Sequence, residues 1–260
     1  MVLVLFKILV GLHIVSGTIG LLAMWGPIFT RNGSRLHKSW GKVFIVSMIV
    51  TGAVAVGISI CSLIEPLQTH PFSDDPVLIR GLFGWMMMYL GILTVALAWH
   101  GYRALKTKRD PAARRSDHLT LGLQVLMGAS ALLCAGYGFA IDQAIMVGVA
   151  VPGLAAAILN AASIVERNPP HNEWLVQHFR ASIGAGISVY TAFFAFGAVN
   201  WFPALAFNPI LWAIPTVLGV AYMLFHQVAV FQQRVRMGLA RQMRVGRHFA
   251  FAVTVPAREA

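Results

Sequence analysis

The sequence predicts an all-α, polytopic membrane protein with seven transmembrane helices, and three observations lead to this fold class. Hydrophobic residues make up 58% of the 260 positions and charged residues only 11%, whereas soluble domains carry about 25% charged residues. Long apolar runs recur along the chain, and about 20 apolar residues span a bilayer. Basic residues gather in alternate connections between these runs, which indicates that those connections share one side of the membrane.

Helix-breaking residues separate the apolar runs and set the predicted limits of the spans. Gly26-Pro27 ends the first run, Pro66 follows the second, and Pro169-Pro170 lies in the fifth connection. The predicted helices cover residues 3–25, 40–63, 79–102, 119–140, 144–164, 179–200 and 209–231. Together they form one transmembrane domain at 1–231, which a basic tail at 232–260 follows.

The distribution of charge predicts the orientation of the chain. Every Lys and Arg except Lys7 and Arg80 falls in the first, third or fifth connection or in the tail. The second connection instead carries Glu65, Asp74 and Asp75. Because basic connections are retained in the cytoplasm, we expect the N-terminus outside and the C-terminus in the cytoplasm.

The net charge of +11 indicates contact with lipid rather than with nucleic acid. The predicted spans leave no soluble domain that could present a basic surface to a nucleic acid. The tail segment Arg234–Arg247 looks amphipathic, so we expect it to lie on the anionic lipids of the inner leaflet. A partner-binding helix is the alternative interpretation of this segment.

Six histidines lie within a predicted span or at its edge, and these are the candidate cofactor-binding residues. An ionisable group inside a membrane is costly and therefore marks a functional candidate. Small residues recur at helical spacing from several of these histidines, for example Gly122 and Gly136 after His118. Small residues mark the face that packs against other helices, so we expect the side chains to point into the bundle. The six are His13, His37, His100, His118, His178 and His226.

Three interpretations of these histidines remain open. In the first, each imidazole forms only hydrogen bonds between helices or to connections. In the second, imidazoles from two helices bind haem b or another metal, with His100 and His226 best matched in depth. In the third they relay protons, which is disfavoured because no Asp or Glu lies in the middle of a span.

The first predicted hairpin resembles a known family. It carries His13 shortly before a glycine, and then a basic turn with Gly33, Arg35 and His37. Over residues 11–56 this pattern resembles a bacterial family of predicted membrane proteins, catalogued as domain of unknown function 2306. The resemblance implies a location in the bacterial inner (cytoplasmic) membrane and singles out the two histidines. It implies no activity.

The leading functional hypothesis is a redox-associated membrane protein that binds haem b or a metal through bundle-facing histidines. Such a protein would meet a membrane redox partner or belong to a larger complex. The alternative is a non-catalytic structural or accessory protein, or a carrier of an apolar solute, in which the histidines only pack and form hydrogen bonds. No catalytic signature is present in the sequence, so no catalytic residue is predicted.

Overall fold

The computed structural model describes residues 1–170, 172–194 and 213–225, and these residues are organised as helices joined by short connections. No strand occurs within those three ranges. A π-helical segment, Arg80–Met86, continues without a break into the helix that begins at Met87. The helices are α1 (Val2–Phe29), α2 (Arg35–Ile64), α3 (Pro66–Thr69), α4 (Pro76–Ile79), α5 (Met87–Lys106), α6 (Pro111–Arg115), α7 (His118–Ala140), α8 (Ala144–Val165), α9 (Glu173–Ala192) and α10 (Ala213–Phe225).

Five helical stretches in the described part of the chain are long and apolar enough to cross a membrane. They are α1, α2, the continuous stretch Pro76–Lys106, α7 and α8. The all-helical fold class is therefore confirmed, and these stretches coincide with the first five predicted spans. The chain divides into two compact units at 1–219 and 220–260. The predicted tail at 232–260 lies outside the described residues, as do the ends of the seventh predicted span at 209–231.

Several predicted helix limits are wrong, and α2 begins at Arg35 and not at residue 40. Helix α1 does not end at Gly26-Pro27 but continues to Phe29, where the N–H and hydroxyl of Thr30 donate to the carbonyl of Gly26. Glycine is needed there because Trp40 packs against it, and a Cβ would lie 2.2 Å from Cγ of that ring. Helix α9 begins at Glu173, six residues before its predicted start at 179. His178 consequently lies in the second turn of α9 and not at its beginning.

The start of α2 follows directly from local sequence. Gly33 has a positive φ of 76°, which glycine adopts without steric cost. The side chain of Ser34 then accepts a hydrogen bond from the N–H of His37 at 3.1 Å and caps the helix. This turn fixes the position at which the first basic connection ends.

Helix α5 lies at the centre of the described bundle, and it contacts α2, α7 and α9. Tyr89 is fully buried there, and its hydroxyl donates to the carbonyl of Val149 in α8 at 3.0 Å. By contrast α1 packs mainly against α2 and buries only Gly17, Gly20 and Ala23. Much of the remaining apolar surface of α1 is exposed, as expected of a helix that faces lipid.

The basic connections meet at one end of the bundle, which we call the basic end. Arg114 in α6 donates from Nη2 to the carbonyl of Glu166 at 2.9 Å, so the third and fifth connections touch. His37 lies near enough to His178 for their charges to interact, which brings the first connection to the same end. At the opposite end, Phe6 packs edge-on against His70, so the start of α1 meets the second connection.

The contact between α2 and α5 depends on two facing glycines. A Cβ added to Gly52 would lie 2.6 Å from the carbonyl oxygen of Gly91, and one added to Gly91 would lie 2.8 Å from the carbonyl oxygen of Gly52. Backbone atoms cannot move away as the end of a flexible side chain can. Small residues of this kind allow membrane helices to approach closely.

We predict that Gly52→Ala lowers the stability of the purified protein, because the new methyl group forces α2 and α5 apart. Overpacking of this kind costs about 1 to 3 kcal/mol. Gly11→Ala is the matched control, since nothing described lies within 4 Å of a Cβ at that position in α1. Thermal unfolding in detergent should show a lower midpoint for Gly52→Ala alone; equal midpoints for both variants would contradict the packing described.

Candidate functional site

A pocket opens at the basic end of the bundle, between the end of α5, α6, the start of α7, the end of α8 and the start of α9. Its volume is about 550 Å³, which lies within the range of small-molecule sites. We call it the basic-end pocket. Its lining includes His100, Thr107, Lys108, Arg114, Glu173 and Gln177.

A chain of hydrogen bonds fixes the tautomer of the neutral His100 ring, which is only 3% exposed. The Gln177 amide donates from Nε2 to Oε1 of Glu173 at 2.6 Å, because a carboxylate can only accept. Oε1 of Gln177 must therefore accept from Nε2 of His100, 3.3 Å away. The remaining ring nitrogen, Nδ1, carries a lone pair and has no partner among the described residues.

Beside this chain of hydrogen bonds, a second group of buried polar side chains joins α5, α7 and α8. Asn160 donates from Nδ2 to Oε1 of Gln124 at 3.0 Å. The Gln124 amide donates in turn to the carbonyl of Ala96, one turn before His100. Ser163, which also lines the basic-end pocket, donates to the carbonyl of Asn160. These bonds hold the three helices in register below the pocket.

One acidic residue on the pocket wall is fully engaged. Asp117 caps α7 by accepting from the N–H and the hydroxyl of Thr120, and it also accepts from Nε of Arg103. Burial alone would raise the pKa of Asp117, but the hydrogen bonds from Thr120 and Arg103 and the charge of Arg103 together lower it. The carboxyl group therefore stays charged and neutralises Arg103.

The other basic residues of the pocket are not neutralised in this way. Lys108 lies over the ring of Trp174, with 5.3 Å between Nζ and the ring centroid. Nε of Arg114 is buried and has no partner among the described residues. Burial lowers the pKa of Arg114, Glu173 opposes that shift, and the like charge of Arg115 adds to it. The pocket therefore holds uncompensated positive charge.

Three of the predicted histidines form the same kind of contact. Nδ1 of His13 lies 3.2 Å from the carbonyl oxygen of Thr51 in α2. Nδ1 of His37 lies 3.2 Å from that of Pro27 at the end of α1, and Nδ1 of His178 lies 3.0 Å from that of Gly101 in α5. Since a carbonyl oxygen can only accept, each Nδ1 donates, and Nε2 carries the lone pair whenever the ring is neutral.

The structure places His118 differently from its prediction. Its side chain is exposed, and nothing described lies within 4 Å of a Cβ at Gly122 or Gly136 on the same face of α7. The packed face of α7 instead carries Thr120, Gln124, Met127, Ala131, Cys134 and Gly138. The inference from small residues is wrong here because the packed face carries small residues of its own, and Thr120 and Gln124 on that face form hydrogen bonds with α5.

The predicted histidines do not gather into a metal centre in the described part of the chain. No group of three or more His, Cys, Asp or Glu residues there could hold a metal ion. His226, the predicted partner of His100, lies outside the described residues, so that pair stays a prediction. His100 also differs from the other histidines, because its Nε2 is already engaged by Gln177.

His70 is a buried histidine that the sequence analysis missed. It stacks on Phe83 with 4.1 Å between ring centroids, and Nδ1 donates to the hydroxyl of Thr69. Burial lowers the pKa of His70 to about 4, so the ring is neutral at physiological pH. No helical pattern could have found it, because it lies in a connection. Its surroundings indicate a packing role at the end opposite the pocket.

The pocket residues Glu173, Gln177, Asp117 and Arg114 were also missed as site residues. The spacing of Glu173 and Gln177, four positions apart on one helix, was a usable signal. It was lost because α9 was predicted to begin at residue 179. Asp117, directly before the fourth predicted span, was readable as a helix cap.

No protein-family model matches the chain, and no curated protein or solved structure matches it. The resemblance over residues 11–56 therefore stays a prediction. The geometry of the described residues alone bears on function.

Proposed function

We propose that this chain is a seven-span protein of the bacterial inner membrane, with its N-terminus outside and its C-terminus in the cytoplasm. The meeting of the first, third and fifth connections at the basic end supports this topology, because alternate connections of a membrane bundle lie on one side. The retention of basic residues in the cytoplasm supports the orientation. Contact of Arg234–Arg247 with anionic lipid belongs to the same proposal.

The orientation predicts which connections a reporter enzyme can reach. Alkaline phosphatase, which is active only outside the cytoplasm, should be active when fused after Asp74 in the second connection. It should be inactive when fused after Asp110 in the third, and equal expression of the two fusions is the control. The reverse pattern would overturn the orientation and leave the bundle itself unchallenged.

Within this topology, the function that the geometry supports best is the binding of a small polar ligand in the basic-end pocket, facing the cytoplasm. One observation carries this proposal: His100 lines a pocket of suitable size, and its buried ring nitrogen Nδ1 has no described partner. An unsatisfied buried polar atom costs about 1 to 3 kcal/mol. A ligand that satisfies it recovers this cost. The proposal makes the chain a binding protein and assigns it no catalytic step.

The ligand-binding proposal predicts a change in thermal stability. Screened at saturating concentration against neutral, cationic and anionic metabolites, the detergent-purified protein should gain roughly 5 °C with at least one of them. Thr107→Phe, which fills the pocket from its wall, should abolish that gain. Ser116→Phe is the control, since Ser116 is exposed and does not line the pocket. If no compound stabilises the wild type, the proposal fails.

A second candidate function, binding of haem b or a metal ion, is favoured by a separate observation. A ligating histidine almost always donates its other ring N–H to a carbonyl or carboxylate, and Nδ1 of His37 and of His178 both donate to carbonyls. The two rings come from α2 and α9 and are near enough for their charges to interact. His37 and His178 would be the residues that hold a haem, which would supply one-electron chemistry.

The haem hypothesis predicts a visible spectrum. The purified protein should show a Soret band with sharp reduced bands after dithionite, and His178→Leu should remove them. His118→Leu is the matched control, because that side chain is exposed and forms no side-chain hydrogen bond among the contacts described. A colourless preparation, free of metal by elemental analysis and expressed with haem available, would end this second hypothesis.

A further inference from the structure

We propose that the ligand of the basic-end pocket is an organic phosphate that also carries a free hydroxyl group. Its hydroxyl donates a hydrogen bond to Nδ1 of His100, and its phosphate lies among Lys108, Arg109 and Arg114. This inference rests on the proposed binding function and narrows it to one chemical class.

The requirement for a hydroxyl follows from the tautomer of His100. Glu173 fixes the amide of Gln177, and Gln177 fixes the ring proton of His100 on Nε2. Nδ1 is therefore an acceptor, and its missing partner must be a hydrogen-bond donor. An anion without an O–H or N–H group cannot supply one. A simple anion would instead place its charge against the lone pair.

The requirement for negative charge follows from the walls of the pocket. The pairing of Arg103 with Asp117 leaves Lys108, Arg109 and Arg114 against one remaining carboxylate of the lining, Glu173. Glu166, outside the lining, also acts on Arg114. The buried Nε of Arg114 has no described partner and is therefore an unsatisfied hydrogen-bond donor. A guanidinium presents several donors to phosphate oxygens, and a lysine adds a point charge. An anionic group at this position would satisfy both.

The two requirements occur in one pocket of about 550 Å³, which is larger than a phosphate ion alone needs. Polyol phosphates combine an anionic group with hydroxyl donors in a small molecule. The same chemistry occurs in free glycerol phosphate and in the headgroup of phosphatidylglycerol. The pocket lies at the end of membrane-spanning helices, where both sources are within reach.

Calorimetric titration of the full-length protein in phosphatidylcholine nanodiscs tests the ligand class. Glycerol 3-phosphate should bind about tenfold or more tightly than glycerol, which lacks the charge, and than sulfate, which lacks the hydroxyl. Binding of sulfate as tight as that of glycerol 3-phosphate would overturn the inference. So would a screen in which only neutral or cationic compounds stabilise the protein, although the proposed binding function would then survive.

The charge requirement is tested by substituting one of the exposed basic residues. Lys108→Gln should weaken binding of glycerol 3-phosphate about tenfold. Lys106→Gln is the matched control, because it removes the same charge two residues away from a side chain that does not line the pocket. An equal loss of affinity in both variants would show a general effect of net charge and would overturn the assignment.

A variant of Glu173 tests which ring nitrogen of His100 carries the proton. Glu173→Gln removes the acceptor-only group that fixes Gln177, so the amide can reverse and Nδ1 of His100 can carry the proton. The preference for glycerol 3-phosphate over sulfate should then fall about tenfold. Because Glu173 is only partly buried, this variant is expected to fold even if variants of the buried His100 do not. An unchanged ratio would overturn the role of His100.

The lipid composition of the nanodiscs distinguishes a lipid headgroup from a soluble ligand. If the ligand is a lipid headgroup, nanodiscs that contain phosphatidylglycerol should lower the apparent affinity for glycerol 3-phosphate, and Lys108→Gln should reduce this competition. If the ligand is soluble, the affinity should be the same in both kinds of nanodisc. Either result supports the ligand class, whereas no binding of glycerol 3-phosphate and no competition would overturn it.

Discussion

The position of helix α5 determines the rest of the described bundle. On one side the facing backbones of Gly52 and Gly91 bring α2 into direct contact with α5. On the other side, the hydroxyls of Thr94 and Ser188 lie 2.6 Å apart and join α5 to α9. Since α5 contacts α2, α7 and α9, displacement of this one helix would move the walls of the basic-end pocket.

Polar contacts inside the bundle share one physical requirement. Lipid and apolar side chains offer no hydrogen bonds, so a buried polar group must find a partner within the protein. Gln124, Asn160 and the Nε2 of His100 all meet this requirement through side chains or carbonyls of neighbouring helices. Nδ1 of His100 does not meet it among the described residues. An exception of this kind is expected where a structure serves binding rather than packing.

The predicted histidines separate into different roles once their neighbours are known. His13, His37 and His178 each tie one helix to a carbonyl of another element, which agrees with the purely structural interpretation and also leaves Nε2 free. His118 is exposed, and of the predicted histidines in the described residues only His100 lines the pocket. The sequence made these residues look equivalent because each is a histidine within a predicted span or at its edge. Their partners are distant in sequence, and helical spacing carries no information about them.

Composition and hydropathy by themselves determined the all-helical membrane class and the approximate limits of the first five spans, because apolar length and the distribution of charge are local properties. The turn at Gly33 and Ser34 begins α2 five residues before its predicted limit at 40. Only the tertiary structure decided that Glu173, Gln177 and His100 form one chain of hydrogen bonds, and that the face of α7 with His118 is not its packed face. The physical reason is that a hydrogen bond between helices depends on which helices are neighbours, and one sequence does not specify neighbours.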